Sequence, residues 1–469
     1  MGIQARRFVE YLRAAGQSHW QVLPLNPPAR GDSPYSAYSV FAGNPYFIDL
    51  PMLVEENLLP AGDLPQAVAA ASEVDYHWCA AVQMDCLRKA FAYSGQRLWG
   101  AVRRFRAQNA FWLPDYALFM ALRGIFDNRP YQQWPEEYRM ADREVLLRAE
   151  RELVEEIHFW EYVQFLFYSQ WRALKRFANS RGVRLIGDMP IYVDVDSADV
   201  WSNPQVFALT PERYPEAGAG VPPDAFSADG QLWGNPLYNW KHLRRTKYQW
   251  WVERVKYAGN LYDTVRIDHF RGLSSYWAVP TGAKSAKVGT WFKGPGMELL
   301  QALQQGAPRV NLIAEDLGLL DDGVRLLLRK SGLPGMKVLQ FAFSVAEESD
   351  YLPHNVGASC VVYTGTHDND TVQSWMKTAP AVEVAYARQY LRIENDKEAH
   401  WDFIRGLYGT AAQLAMVPMQ DVLGLDENSR MNKPGIANGN WRFRLLPEQI
   451  ALPTAQKLRQ LALVYRRCR

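Results

Sequence analysis

Acidic residues follow several short apolar segments of this sequence. GDMP contains Asp188, VRIDHF contains Asp268, IAEDLG contains Glu315, and YTGTHDND contains Asp368. Each apolar segment is typical of a strand that stops at its acid or just before it. A pair of carboxyls can cleave a glycosidic bond, because one protonates the leaving oxygen while the other attacks or stabilises the cation-like sugar carbon. The acids therefore predict glycoside chemistry.

The neighbours of two acids predict separate roles for them. Arg266 lies two residues before Asp268 on one predicted strand, so both side chains share a face and the guanidinium keeps the carboxylate ionised. We expect Asp268 to be the nucleophile. Glu315 follows the apolar residues 312–314, and a dry setting would raise its pKa and keep a proton for donation. The plainer alternatives are a surface ion pair for Arg266 and a helix N-cap for Glu315, a role that Asp316 could also fill.

The THDND segment supplies two more polar side chains. We expect Asp368 and His367 to hold sugar hydroxyls and to stabilise positive charge in the transition state, with Asp188 beneath them. A helix-capping Asp and a structural His are the alternatives at these positions.

The elements that must position these residues alternate along the chain. Short apolar runs, most of them separated by helical patterns, occur at 20–25, 183–186, 262–267, 310–314, 338–343, 360–363 and 414–418. Parallel strands joined by crossover helices produce this rhythm. In a barrel of parallel strands every carboxyl end faces the same rim, so acids distant in sequence meet around one pocket. The predicted fold is therefore α/β, a (β/α)8 TIM-type barrel.

The chain is predicted to be one catalytic barrel domain over residues 1–469. Residues 53–179 show long amphipathic patterns with almost no strand-like run, which predicts a mainly helical insertion. No strand-rich segment follows Arg444, so we expect no separate C-terminal all-β domain. The stretches 209–239 and 276–296 are rich in Gly, Pro and Trp and are predicted to be long functional loops.

Composition excludes several classes of partner. The formal net charge is only +2 and no run of five basic residues occurs, which argues against nucleic acid. The four cysteines show no CxxC spacing and are expected to be reduced. No membrane-length apolar stretch and no signal-peptide pattern is visible, so a cytoplasmic location is predicted. Aromatic residues make up 13% of the chain, and those in loops suit stacking on sugar faces.

Four segments carry a family resemblance. GDMPIYV (187–193), RIDHFRG (266–272), AEDLG (314–318) and THDND (366–370) resemble the signature regions of the α-amylase clan. More closely, they are similar to the 4-alpha-glucanotransferases of glycoside hydrolase family 77, called amylomaltases or disproportionating enzymes. The resemblance extends nearly end to end and includes 22–45, 196–204, 220–240, 332–343, 419–435 and 439–444.

The resemblance implies a reaction and its residues. It implies Asp268 as nucleophile, Glu315 as acid/base and Asp368 as transition-state stabiliser of a retaining transfer of α-1,4-glucan segments between maltooligosaccharides, with glucose as an acceptor. It implies sugar contacts from Tyr35, Asp188, Asp224, Gln231, Trp233, Arg266, His367 and Asn432. We expect no metal and no organic cofactor, since the two carboxyls supply acid and nucleophile. In a retaining pair they lie about 5 to 5.5 Å apart.

Two departures from the family pattern occur. SPYSA stands at 33–37 where the family has SPYQS, which affects the acceptor side. The family also begins with a strand and loop before the helix that here follows Met1. Counting seven strand-like runs gives the same result, because an eight-stranded barrel needs one more. The first barrel strand is therefore predicted to be missing, through a shortened sequence or in a degenerate paralogue.

Three alternative functions remain open at this stage. A metal-dependent hydrolase could use His269 and His367 with carboxylates, although the HxH spacing of such barrels is missing. A catalytically weak paralogue could bind glucans without converting them. A plain α-glucan hydrolase would use the same acids with water as acceptor.

Overall fold

Two kinds of sheet make up the β structure. The structure, a computed structural model, describes residues 1–66, 71–223, 229–318, 320–346, 349–436 and 438–468. Within these residues the strands are β1 His19–Gln21, β2 Arg184–Met189, β3 Ala217–Val221, β4 Gln231–Pro236, β5 Thr264–Ile267, β6 Ser275–Pro280, β7 Thr290–Lys293, β8 Asn311–Ala314, β9 Gly335–Val338, β10 Cys360–Tyr363 and β11 Leu414–Met416.

Parallel strands form the barrel wall. Strands β1, β2, β5 and β8 pair in that order, and β9, β10 and β11 pair in a second run. The two runs meet between β8 and β9, where the backbone N–H of Ala314 donates to the carbonyl of Pro334 at 2.9 Å. The predicted barrel class is confirmed.

The wall has a discontinuity between its first and last strands. Among the described residues no backbone ladder joins β1 to β11. A side-chain bond lies near this gap, because the hydroxyl of Tyr363 on β10 donates to Gln21 on β1 at 2.8 Å. The eighth strand expected at this place stays a prediction.

Helices surround the wall and form most of the long segment between β1 and β2. They are α1 Ile3–Ala14, α2 Leu50–Glu55, α3 Tyr76–Trp78, α4 Met84–Gln108, α5 Leu113–Ile125, α6 Glu136–Arg139, α7 Arg143–Glu152, α8 Val154–Ser180, α9 Ala198–Ser202, α10 Trp240–Arg245, α11 Gln249–Leu261, α12 Arg271–Ser274, α13 Met297–Gly306, α14 Asp322–Ser331, α15 Val372–Thr378, α16 Ala381–Leu391, α17 Ala399–Tyr408, α18 Met419–Val422 and α19 Leu452–Val464. None of the helices in the described part of the chain has the length and hydropathy needed to cross a bilayer.

One hydrophobic core joins the helical segment to the barrel. It contains Leu118 and Phe167 from the helical segment together with Val265 and Ile267 of β5. Beyond Arg444 the described residues contain helix α19, which packs on α1, and no strand. We propose on this basis that the chain is a single domain.

The two stretches predicted to be loops contain a second sheet. Strands β4, β3, β6 and β7 pair antiparallel in that order beside the barrel. The sequence AGAGV of β3 is rich in glycine and poor in β-branched residues, so its strand character comes from pairing with neighbours distant in sequence. The loop prediction for 209–239 and 276–296 was therefore wrong in part.

The strand predicted at 338–343 is also wrong in position. The structure has β9 at Gly335–Val338, followed by a single 3-10 turn at Leu339–Phe341. Leu339, Ala342 and Phe343 are buried, so the apolar run continues into a packed turn. Periodicity does not separate a buried strand from a buried turn.

A glycine in β2 provides a test of the packing beneath the acids. A Cβ at Gly187 would overlap the buried ring of Tyr262, so Gly187→Ala should lower the free energy of unfolding by about 1 to 3 kcal/mol through overpacking. Denaturant titration measures this change. Gly100→Ala is the control, because a Cβ at Gly100 in α4 would meet only the Arg104 side chain at 3.8 Å and the helix should gain up to about 1 kcal/mol. Equal effects of the two substitutions would contradict the packing.

Candidate active site

The barrel strands bring the predicted acids to one rim. Asp268 is the first residue after β5, Glu315 is the first after β8, and Asp368 lies five residues beyond the end of β10. Asp188 was predicted to follow its strand, but it lies inside β2, because the strand continues to Met189. Strands β2, β5 and β8 are neighbours, so three of the four acids stand on adjacent strands.

A buried arginine connects two of these acids. Arg266 donates from Nε to Asp188 Oδ1 at 3.0 Å and from Nη2 to Asp188 Oδ2 at 2.7 Å. The same Nη2 donates to Asp268 Oδ1 at 2.9 Å. The side chain of Arg266 is 3% exposed and that of Asp188 is 0%, whereas Asp268 is 26% exposed. The pair is thus not the surface ion pair considered as an alternative, and Asp268 is the most exposed of the three residues.

Tyr35 completes this ion cluster from a loop after β1. Its hydroxyl donates to Asp188 Oδ2 at 2.5 Å. Its ring stacks on His367 with centroids 5.1 Å apart, and Trp441 lies 5.7 Å from both rings. The ion cluster is therefore tied through Tyr35 to the segment that carries Asp368.

Glu315 is held by backbone groups. Its Oε2 accepts from the N–H of His269 at 2.6 Å and its Oε1 accepts from the N–H of Leu317 at 2.9 Å. The N-cap alternative fails for Glu315 and for Asp316, because the following helix α14 is capped by Asp321. Asp316 instead accepts from the N–H of Met336 at 2.6 Å.

Asp368 is positioned by a residue from a distant loop. Asn432 Nδ2 donates to Asp368 Oδ1 at 2.6 Å, and the same oxygen lies 3.3 Å from His367 Nε2. The backbone N–H of Asn432 donates to the carbonyl of His367 at 3.0 Å. Arg430 donates to the carbonyl of Asp368 at 2.8 Å. These contacts with Asn432, His367 and Arg430 fix the carboxyl of Asp368, and none of them uses its Oδ2.

Burial shifts the protonation of the two facing acids. Burial raises the pKa of Asp268 to about 7, although the charge of Arg266 opposes the shift. Burial and then the negative charge of Asp268 raise the pKa of Glu315 well above its usual value, although its two backbone bonds oppose this. Because only Asp268 bonds directly to Arg266, the proton that the pair retains belongs on Glu315. Burial lowers the pKa of His367, which favours its neutral form.

A cleft of about 610 Å³ opens above these groups. Its lining includes Tyr35, Gln231, Trp233, Arg266, Asp268, Glu315, His367, Asp368 and Asn432. Asp188 lies beneath the cleft wall, and Asp224 lies outside the described residues. Trp233 donates to Gln231 Oε1 at 3.1 Å and meets the ring of His269 edge-on at 4.9 Å. The structure thus gathers the described members of the predicted set.

Four aromatic residues that line the cleft were not predicted as site residues, namely Tyr192, Trp291, Phe341 and Trp441. Trp441 lies in GNWRFR, one of the segments that carry the family resemblance, so that segment could have identified it. Trp291 had only a general signal, because it lies in the Trp-rich stretch 276–296 that was predicted to be a functional loop, and no motif singled it out.

The described residues do not contain a metal-binding group. No cluster of three or more His, Cys, Asp or Glu side chains in that part of the chain is arranged to hold an ion. His269 donates its backbone N–H to Glu315, and its φ of 48° places it in the left-handed region. The arrangement is a carboxyl pair flanked by polar and aromatic side chains, as cleavage of a glycosidic bond requires.

Comparison with known proteins agrees with this arrangement. The family model described as 4-alpha-glucanotransferase matches residues 1–449. The 4-alpha-glucanotransferase of Clostridium butyricum is 41% identical over 471 residues, covering 100% of this chain and 97% of the relative. That of Thermus thermophilus is 44% identical, covering 98% and 94%. Amylomaltase from Streptococcus agalactiae, solved in complex with acarbose, superposes with a TM-score of 0.97 at 36% identity, covering 100% of this chain and 96% of that one.

Arg266→Lys tests the ion cluster. A lysine keeps the charge but cannot place donors on Asp188 and Asp268 together, because it has no guanidinium fork. We expect kcat/KM to fall by about 100-fold as the Asp268 carboxylate loses its orientation. Steady-state kinetics on a maltooligosaccharide measures the loss.

The control for this substitution is a surface arginine. Arg88→Lys changes an arginine of α4 that pairs with Glu156 and does not line the cleft, so it should leave kcat/KM unchanged. If Arg266→Lys were as active as Arg88→Lys, the cluster would have no part in orienting Asp268.

Proposed function

The chain belongs to the 4-alpha-glucanotransferase family, and from this premise we propose how its residues carry out the reaction. It transfers α-1,4-glucan segments between maltooligosaccharides, with glucose as one acceptor. The reaction retains the configuration at the sugar carbon through two displacements and a glucosyl-aspartate intermediate. The observation that carries the assignment of residues is the contrast between the two facing carboxyls, one bonded to Arg266 and one to backbone N–H groups.

In the first displacement Glu315 protonates the glycosidic oxygen and Asp268 attacks the sugar carbon. The C–O bond to the leaving glucan breaks, and a bond from Asp268 Oδ to the sugar carbon forms. Arg266 donates to Oδ1 of Asp268 at 2.9 Å, which orients the carboxylate and keeps Oδ2 for attack. The leaving glucan then departs with the proton of Glu315.

In the second displacement Glu315 acts as a base. Its carboxylate removes the proton from a hydroxyl of the incoming glucan, whose oxygen attacks the sugar carbon and releases Asp268. Asp368 stabilises positive charge on the sugar in both steps, and its contact with Asn432 fixes its place. Tyr35, Gln231, Trp233, His367 and Asn432 are proposed sugar contacts because they line the cleft, and Asp188 acts through Arg266.

Asp224 keeps its proposed sugar contact on the family resemblance alone. It lies outside the described residues, so its support is the segment GVPPDAF at 220–226.

We propose the cytoplasm as the compartment. The four cysteines are all free thiols, and two of them are buried. Unpaired cysteines are typical of a reducing compartment.

Incubation with maltotriose tests the transfer reaction. The parent protein should produce glucose together with oligosaccharides longer than maltotriose, separated by chromatography. Asp268→Asn should abolish both products while binding survives, because the amide keeps the shape of the carboxylate but cannot form the intermediate. Glucose without longer products would indicate plain hydrolysis, and turnover by Asp268→Asn would contradict the nucleophile.

The dependence on pH follows from the two carboxyls. Activity needs Asp268 ionised, so it should fall as the pH drops below the Asp268 pKa of about 7. It also needs Glu315 protonated, so it should fall again at higher pH, where Glu315 loses its proton. A plot of kcat/KM against pH should therefore be bell-shaped.

Glu315→Gln separates the two sides of this profile. Maltosyl fluoride needs no acid because fluoride leaves without a proton, so Glu315→Gln should still release fluoride from it. The alkaline fall should disappear in this variant and the acidic fall should remain, as followed with a fluoride electrode. Glu298→Gln, an exposed residue on α13, is the control, and on a maltooligosaccharide it should keep the bell shape of the parent protein. Persistence of the alkaline fall in Glu315→Gln would assign it to another group.

A further inference from the structure

An aromatic strand at the edge of the antiparallel sheet has no role in the chemistry described so far. Strand β7 has the sequence TWFK, and each of its four side chains is exposed. Trp291 is 38% exposed and Phe292 is 50% exposed. Adjacent large rings on an exposed strand are typical of a surface that binds a partner or a ligand.

The two rings point to opposite faces of the sheet. Trp291 pairs across the strands with Trp277, and Phe292 pairs with Tyr276. Trp291 meets Trp277 edge-on at 5.1 Å, and Phe292 stacks on Tyr276 at 5.9 Å. Successive side chains of a strand point to opposite faces, so Trp291 with Trp277 forms one aromatic pair and Phe292 with Tyr276 forms another on the opposite face. A ligand on one face therefore contacts only one of the two pairs.

Only one of these groups is continuous with the cleft. Trp291 lines the cleft that contains Asp268 and Glu315, and Phe292 does not. The guanidinium of Arg271 lies over the ring of Trp291 at 4.0 Å and bonds to Asp321 at 3.1 Å. Arg271 also lines the cleft and follows Asp268 by three residues. Trp291 is therefore fixed in place next to the turn that carries the nucleophile.

The end of the strand is fixed to the same region of the backbone. The N–H of Gly294 donates to the carbonyl of Ser274 at 2.8 Å, and the N–H of Gly296 donates to the carbonyl of Leu273 at 2.8 Å. A side chain at Gly294 would overlap the backbone of Leu273, so the close approach requires glycine. The aromatic surface is thus a rigid extension of the cleft wall.

We propose that Trp291 is an outer binding site for α-1,4-glucan, where a chain that leaves the cleft stacks a glucose ring on the indole. The proposal rests on the proposed function, since it concerns how far the substrate extends from the acids. A glucose ring offers an apolar C–H face to the face of the Trp291 ring that Arg271 does not cover, and it keeps its hydroxyls at the rim. A glucan fits better than a protein partner because the surface is continuous with a sugar-binding cleft.

The consequence for the reaction is selection by chain length. On this proposal a short oligosaccharide bound at the acids ends before Trp291, whereas a long one gains the additional stacking contact. Longer glucans should therefore bind more tightly than short ones by an amount that depends on Trp291.

The test measures binding apart from turnover. Isothermal titration calorimetry on Asp268→Asn gives the Kd of maltotriose and of maltoheptaose without conversion. The measurement is repeated after adding Trp291→Leu, Trp291→Tyr or Phe292→Ala. Trp291→Leu removes the aromatic face and keeps an apolar side chain, Trp291→Tyr restores an aromatic face, and Phe292→Ala is the matched control on the opposite face.

The expected result is a change in the ratio of the two dissociation constants. Trp291→Leu should weaken maltoheptaose about fivefold to tenfold more than maltotriose, which corresponds to about 1 to 1.4 kcal/mol. Trp291→Tyr should recover most of this loss, and Phe292→Ala should leave the ratio unchanged. The proposal would be overturned if the ratio of the maltoheptaose Kd to the maltotriose Kd stayed the same in Trp291→Leu, or if it changed by the same factor in Phe292→Ala.

Hydrogen exchange gives a second readout that needs no change at Trp291. Mass spectrometry of Asp268→Asn should show slower exchange of a peptide containing 290–293 with maltoheptaose than with maltotriose, and equal exchange would also overturn the proposal. Failure of the proposed function is seen elsewhere, as parent protein that does not disproportionate maltotriose.

Discussion

The site depends on one buried guanidinium shared by two carboxylates. Arg266 holds Asp188 by two bonds and Asp268 by one, in a place almost closed to solvent. Two carboxylates this close could not both stay ionised without a cation, because a like charge and a dry setting both favour protonation. Removing one partner of such a cluster leaves an uncompensated charge, which typically costs about 3 to 5 kcal/mol. The fold must therefore place these three residues together, and strands β2 and β5 do so as neighbours.

The acids follow the same order around the rim of the barrel as along the chain. Asp188, Asp268 and Glu315 stand on three consecutive strands of the wall, and Asp368 comes from beyond β10 in the second run of strands. The ligand space thus lies between a rigid side made of strand ends and a side made of loops that carry His367 and Asn432. Stacking of Tyr35 on His367 joins the two sides.

Sequence reasoning located the acids because each rests on a local pattern, an apolar run followed by a carboxyl. The same reasoning recovered Arg266 from its spacing to Asp268. It could not place Asn432 beside Asp368 without the family resemblance, because the two are 64 residues apart and no periodicity links them. It missed the four strands of the antiparallel sheet, β3, β4, β6 and β7, and it did not single out Trp291. The sequence pattern was a weak guide wherever a strand or a side-chain contact depends on residues distant in sequence.

The two backbone bonds on Glu315 also affect the energy of the step that follows proton donation. Once the proton leaves, the new carboxylate already faces the N–H groups of His269 and Leu317, at 2.6 and 2.9 Å. No water or side chain has to turn toward the new Glu315 carboxylate, so the reorganisation energy of proton donation is small. His269 is also the residue after Asp268. The peptide N–H that stabilises the Glu315 carboxylate therefore belongs to the turn that carries Asp268. Acid and nucleophile are therefore electrostatically linked through a single peptide unit. While the glucosyl intermediate exists, the Glu315 carboxylate is already solvated by backbone N–H groups, so it is ready to act as a base when the acceptor hydroxyl arrives.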